Sequence, residues 1–166
     1  IDGMAYEEAT TSGGAADLPT ALGGRVRHLD YKTLRYPGHW AWVQKQLDAI
    51  GDVPDRIQQL QERMMSAVPS VSDDLVVIYA AVEGRDQRGG RHRFDEAYKV
   101  WPETFGGRVL RAIQSTTAAG LAECARMLLT EDLSGPLLQS QLNPESYLNG
   151  PYVSAVYKSP LSRTTL

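Results

Sequence analysis

A single cysteine, Cys124, is all the thiol the chain has, so no disulfide can close within it. It lies among alanines and leucines at helical spacing, which predicts a buried structural thiol in a protein made in a reducing, cytoplasmic compartment. The three histidines, His28, His39 and His92, show no paired spacing, and beside one cysteine they argue against a structural zinc site. No Gly-x-Gly-x-x-Gly run follows a strand, and no Gly-x-x-x-x-Gly-Lys-Ser/Thr loop is present. A nucleotide, if this chain serves a nucleotide enzyme, is therefore held elsewhere. Gly-x-Ser-x-Gly is missing too, which speaks against a serine hydrolase. No apolar run approaches the roughly 20 residues of a membrane helix, and no basic-then-apolar signal segment opens the chain. Basic residues form no stripe and the net charge is -3, which argues against a nucleic-acid partner.

What is there has the balance of a globular protein: 166 residues, 42% hydrophobic and 22% charged. That length predicts one domain, taken as residues 1–158, with 159–166 as a loose tail. The opening Ile1-Asp2-Gly3-Met4 fits a chain cut from something longer.

Met4 to Thr10 reads as a short strand, and β-branched and aromatic content from Arg25 to Tyr36 predicts a long one, with Leu29, Tyr31, Thr33 and Arg35 on one face. Trp40, Val43, Leu47 and Ile50 form the stripe of a helix that Gly51 ends. Pro54 opens a second helix with a stripe of Ile57, Leu60, Met64 and Val68. Leu75 to Val82 is apolar on both alternating faces, predicting a strand covered on both sides near the middle of a sheet. It pairs, through a loop at Gly84 to Gly90, with a strand from Arg91 to Trp101. Arg108 to Gln114 reads as a further strand, and Ser115-Thr116-Thr117 as caps of a helix carrying Leu121, Cys124, Ala125, Leu128 and Leu129. Tyr152 to Tyr157 reads as extended. The class is α+β: a mixed, mainly antiparallel sheet with helices packed on it.

Thr33-Leu34-Arg35-Tyr36-Pro37-Gly38-His39 carries the strongest chemical signal. It sets a guanidinium at a strand end, beside an aromatic hydroxyl and a Pro-Gly corner, and the planar donor fork of arginine matches two carboxylate oxygens. A structural salt bridge is the competing role for Arg35, and simple packing that for Tyr36. His39 suits either a ligand or the start of a helix. Thr11-Ser12-Gly13-Gly14 offers hydroxyls and bare N–H groups to the same ligand, or is an ordinary turn. The acids of Glu7-Glu8 and Asp73-Asp74 read as solvated surface charge, and the arginine-rich segment Arg85 to Arg93 as a solvated hairpin tip.

Leu29-Asp30-Tyr31-Lys32-Thr33-Leu34-Arg35-Tyr36-Pro37-Gly38-His39 resembles a segment of saccharopine dehydrogenase-like proteins, the group of saccharopine reductases, lysine 6-dehydrogenases and carboxynorspermidine dehydrogenases. Thr11-Ser12-Gly13-Gly14 with Leu18-Pro19 is similar to that family's Ser/Asp-Gly-Gly followed by Leu-Pro. Ile113-Gln114-Ser115-Thr116-Thr117-Ala118-Ala119-Gly120 resembles its strand-to-helix segment. The three anchors stand in family order.

The resemblance implies the C-terminal, substrate-binding and dimer-forming domain of an NAD(P)-dependent oxidoreductase acting on the C–N bond of an amino acid such as saccharopine or lysine. The fold implied is the α+β domain that follows the Rossmann half in glyceraldehyde-3-phosphate dehydrogenase-like enzymes. NAD or NADP would sit in an N-terminal Rossmann domain that this sequence lacks, and catalytic acid/base residues would lie there or at the cleft. The substrate-binding residues implied are Arg35, clamping the α-carboxylate, with Tyr36, His39, Thr11, Ser12, Gly13 and Gly14 around it. No residue of this chain is assigned a catalytic role, no metal or cofactor is expected in it, and alone it would be inactive. The competing reading is a non-catalytic binding or dimerisation module on the same fold. A hydrolase or lyase on a similar scaffold lacks a nucleophile or metal motif here.

Overall fold

The structure is a computed structural model that describes residues 1–11 and 14–165. Where the sequence predicts one domain, the chain folds as two compact units, the first built on residues 3–11, 14 and 30–71 and the second on 15–29 and 72–165.

In the first unit, β1 (Glu7–Ala9) pairs antiparallel with β2 (Thr33–Arg35), so that Glu7 faces Arg35 and Ala9 faces Thr33. The long strand expected from Arg25 shrinks to three residues. A strand persists only where a partner completes its ladder, and β1 offers three residues of backbone. The chain then turns through Gly38, whose φ of 94° is open to glycine and strained for other residues, into α2 (His39–Ile50). Gly51 ends α2 at φ 80°, as its position in the sequence predicts. The second helix, α3 (Arg56–Ala67), turns a different face inward from the one its apolar spacing suggests. Ile57 and Val68 are exposed, while Arg56 donates to the Leu47 carbonyl at 3.4 Å and Arg63 to Gln46 at 3.1 Å. Arginine stems beside Leu60 and Met64 thus cover α2, their charged ends reaching polar atoms of that helix.

The second unit holds the core. Here α1 is a single turn (Leu18–Ala21), and β3 (Val76–Arg85) and β4 (Arg91–Val100) form a ten-residue antiparallel hairpin. The expected pairing is present. The expected place of β3 is not: the order is β3-β4 and then the C-terminal strand, so β3 is an edge strand exposed from Tyr79 onward, and β4 is central. From Tyr79 the strand continues as Ala80, Ala81 and Val82, an apolar run whose alanines bring little bulk to bury, and then as Glu83, Gly84 and Arg85.

A two-residue turn at Gly106-Gly107, both at positive φ, joins β5 (Glu103–Phe105) to β6 (Arg108–Leu110). The strand predicted to reach Gln114 stops there, because α4 (Ala112–Thr130) begins at once. The Asp74 carboxylate accepts the N–H groups of Ala112 at 2.7 Å and Ile113 at 2.9 Å, capping the helix from a distant part of the chain. Ser115, Thr116 and Thr117 therefore lie inside the helix, where their hydroxyls donate back to the carbonyls of Ala112 and Ile113.

Two short helices follow, α5 (Pro144–Leu148), with Asn143 accepting the Ser146 N–H at 3.0 Å, and α6 (Pro151–Tyr157). The segment read as extended is helical because Pro151 suits a first turn and the next two N–H groups find the Glu123 carboxylate. The last strand, β7 (Ser162–Thr165), pairs antiparallel with β4, within the segment expected to be a loose tail. Val100, Ala112, Ala119 and Val156 form the buried cluster, backed by Val76, Phe105 and Tyr157. Cys124 is half-buried rather than enclosed. The architecture is α+β with small antiparallel sheets, and the described residues form no barrel.

Candidate functional site

The corner where β2 runs into α2 carries Arg35, Tyr36 and His39, with Arg35 and His39 both against the Trp40 ring and Tyr36 against Tyr6. What organises it is a residue that the sequence reading dismissed as surface charge. Glu7 lies opposite Arg35 in the ladder, yet its carboxylate reaches past the corner to accept the N–H of Gly38 at 2.9 Å and of Trp40 at 2.6 Å. Those N–H bonds hold its pKa below the ordinary carboxylate value against the opposing effect of burial, with the nearby His39 adding a smaller pull. Glu7 is thus engaged by the start of α2.

Arg35 is left without an acid. Its Nη1 donates to the Leu34 carbonyl at 2.8 Å, and its guanidinium carbon stands 5.9 Å from the centroid of the Trp40 ring, within cation–π range. Among the described residues no carboxylate comes within ion-pair distance of it. Asp30, the nearest candidate in sequence, lies 3.7 Å from Lys32, which also binds Glu8. Arg35 is exposed, and among the described residues its planar fork meets no acceptor apart from a main-chain carbonyl.

The aromatic frame is well defined. Tyr36, 57% exposed, stacks on Tyr6 with centroids 5.7 Å apart, and His39 meets Trp40 edge to face at 4.9 Å. The Trp40 indole N–H is buried with no acceptor among the described residues. Thr11 shares a 2.6 Å hydrogen bond with Thr33, which lies two residues before Arg35 on the same strand face. Gly14 lies against the Tyr31 ring, which occupies the space a Cβ would need. Ser12 and Gly13 lie outside the described residues.

Two concavities are lined by residues of the second unit. One, about 200 Å³, is lined by Phe105, Leu110, Ala119, Ala122, Tyr152 and Val156 among others, and its one deeply buried hydroxyl, Ser115, already donates to the Ala112 carbonyl. The other, about 160 Å³, lies over Ala80, Val82 and Phe94 on the sheet. Among the described residues no three His, Cys, Asp or Glu side chains converge as metal ligands.

Sequence reading missed three carboxylates that start helices: Glu7 at α2, Asp74 at α4 and Glu123 at α6. Glu123 is fully buried, accepts the Tyr152 N–H at 2.9 Å and pairs with Arg126. Burial pushes its pKa up, but Arg126 and the N–H groups of Tyr152 and Val153 outweigh that and hold it low. A Cβ at Gly150 would overlap this carboxylate. The available signal was an acid at helical spacing inside an apolar stripe, followed far downstream by Gly-Pro.

The chain matches no family model, no curated protein and no solved structure with which it was compared.

Proposed function

We propose that this chain is the substrate-binding part of an NAD(P)-dependent oxidoreductase acting on the C–N bond of an amino acid, with Arg35 receiving the substrate's α-carboxylate. The observation that carries the reading is an exposed guanidinium at a strand end whose facing acid, Glu7, is already committed to the helix N-terminus. A carboxylate arriving there meets the remaining donors of the planar fork, whose Nη1 is held by the Leu34 carbonyl, and displaces no described acid. Tyr36, His39 and Thr11 stand around it, and the resemblance of residues 29–39 to saccharopine dehydrogenase-like proteins gives the substrate class: saccharopine, lysine or a related amino acid.

In this chemistry a nicotinamide, held by a Rossmann domain of a longer protein in the arrangement of glyceraldehyde-3-phosphate dehydrogenase-like enzymes, would supply the hydride acceptor for the carbon of the C–N bond. The part of this chain is to bind and orient. A charge-assisted clamp contributes about 1.5–3 kcal/mol once the bound substrate covers it, enough for more than tenfold in affinity.

The test is nicotinamide absorbance with the full-length protein and a panel of amino acids including lysine and saccharopine. Arg35→Ala should raise KM at least tenfold, with Arg35→Lys between it and wild type. An Arg35→Ala enzyme with wild-type kinetics and a lower melting temperature would make Arg35 structural.

A second reading, a non-catalytic binding or dimerisation module, is favoured by α4 of the second unit. Leu121, Leu128 and Leu129 are more than half exposed on the side away from buried Ala112, Ala119 and Met127. An apolar face of that kind suits contact with another chain. Full-length protein that is dimeric by sedimentation yet turns over no amino acid in the panel would support it.

A further inference from the structure

The end of the β3–β4 hairpin holds arginines that no ion pair among the described residues engages. In the register, Glu83 faces Arg93, Gly84 faces His92 and Arg85 faces Arg91. The first of these pairs is complementary. Arg93 binds Glu83, Tyr79 and, at 2.9 Å, Asp95, and these hydrogen bonds push its pKa far up. Two residues outward, on the same face of the same strands, two like charges stand directly opposite each other, an arrangement that destabilises a strand pair.

Arg88 adds a third charge in the turn between them. The one acid at the tip, Asp86, is committed to the turn itself, accepting the N–H of Arg88 and of Gly90 at 2.8 Å each, with the His92 ring at 3.1 Å. Arg85 reaches only the Gly89 carbonyl, at 2.9 Å. Among the described residues neither Arg88 nor Arg91 has an acidic partner, and the whole segment 85–92 is exposed. The strand pair that neutralises Arg93 shows that such compensation is available two positions away and is not applied at the tip.

We propose that Arg85, Arg88 and Arg91 form a docking surface for a carboxylate-rich segment of another protein. Three guanidiniums around one tight turn present several planar forks in a small area, matching closely spaced side-chain carboxylates. The rest of the chain favours a short acidic partner over a long polyanion. Without these three arginines, fourteen basic residues stand against twenty acidic ones, so the rest of the chain carries a net negative charge that repels a long polyanion more than a peptide of a few acidic residues.

The experiment uses the full 166-residue chain and fluorescence anisotropy at physiological salt. The probe is a labelled decaglutamate, with a ten-residue oligothymidylate and phosphatidylserine vesicles as separate arms. Wild type should bind decaglutamate most tightly. Arg91→Glu should weaken that binding at least tenfold and melt at the same or a higher temperature, because it replaces a like-charge pair by an opposite one. Arg88→Gln, in the turn and outside the ladder, should weaken binding several-fold with no change in melting. Decaglutamate binding that is absent, or equal in wild type and both variants, would overturn the proposal. So would tighter binding of the oligothymidylate or the vesicles, or Arg91→Glu melting well below wild type.

Discussion

Each unit of this protein contains a helix N-terminus, a carboxylate that caps it from elsewhere in the chain and an arginine nearby, and the two arginines have opposite fates. In the second unit Arg126 binds the capping acid Glu123 and lies 3.4 Å from Glu131. In the first, Arg35 faces the capping acid Glu7 across the ladder and does not bind it. The difference follows from where the carboxylate oxygens are directed. Glu123, fully buried, uses one oxygen for the α6 N–H groups and the other for Arg126, which leaves no lone buried charge. Glu7, only half-buried, gives each oxygen to a separate N–H, and Arg35 beside it pairs with no acid among the described residues. One arrangement ties its arginine into the fold; the other leaves a guanidinium exposed.

The largest effect should come from breaking the buried node. Glu123→Ala removes the acceptor of two helix N–H groups and strands Arg126, and a buried ion pair broken on one side costs about 3–5 kcal/mol. Urea unfolding of the second unit reads this directly. Gly150→Ala should come next, at about 1–3 kcal/mol, since the new methyl overlaps the Glu123 carboxylate. The two changes should be strongly non-additive, because the methyl has less to collide with once the carboxylate is gone. If their costs simply add, the contact between Gly150 and Glu123 is not what forbids the side chain.

Acid should weaken the caps of both units together. Glu123, Asp74 and Glu7 are all held below their ordinary values, Asp74 because the N–H groups of Ile113 and Ala112 outweigh the opposing effect of burial. A carboxyl whose folded pKa is depressed contributes stability that is complete above its unfolded value and is lost as pH falls through the folded one. Melting temperature should therefore be flat down to about pH 5 and fall as pH drops past 4.5, the ordinary glutamate value, and 3.8, that of aspartate. Asp74→Asn should flatten part of that fall and cost about 1 kcal/mol at neutral pH, in line with a lost helix cap.

The contrast between the two nodes also explains what was legible in the sequence. Local signals were readable: the α2 stripe with its Gly51 stop, the β3–β4 pairing and the corner that sets Arg35 beside Tyr36 and His39. Non-local ones were not. The start of α4 is set by Asp74, 38 residues before Ala112, and the start of α6 by Glu123, 29 residues before Tyr152, so propensity at either site pointed to a strand. The depth of β3 failed for the same kind of reason, since an apolar run does not say whether the strand beyond it exists. The freedom of Arg35 could not be read either, because it depends on two N–H groups more than 30 residues from Glu7.

The smallest effect on stability, and the sharpest on the comparison, belongs to Arg35. It is exposed and ion-paired to no described residue, so Arg35→Ala should change unfolding by no more than about 0.5 kcal/mol, as at ordinary surface positions. Arg126→Ala should be plainly destabilising, because it leaves the buried Glu123 carboxylate without its cation. Glu7→Gln supplies the control within the first unit: it keeps one acceptor for the α2 N–H groups but loses the charge, and should lower the melting temperature of that unit while leaving intact the amino-acid binding proposed for Arg35. Should Arg35→Ala instead destabilise the protein as much as Arg126→Ala does, the two nodes are alike, and the guanidinium at the β2 corner is holding the fold rather than waiting for a carboxylate.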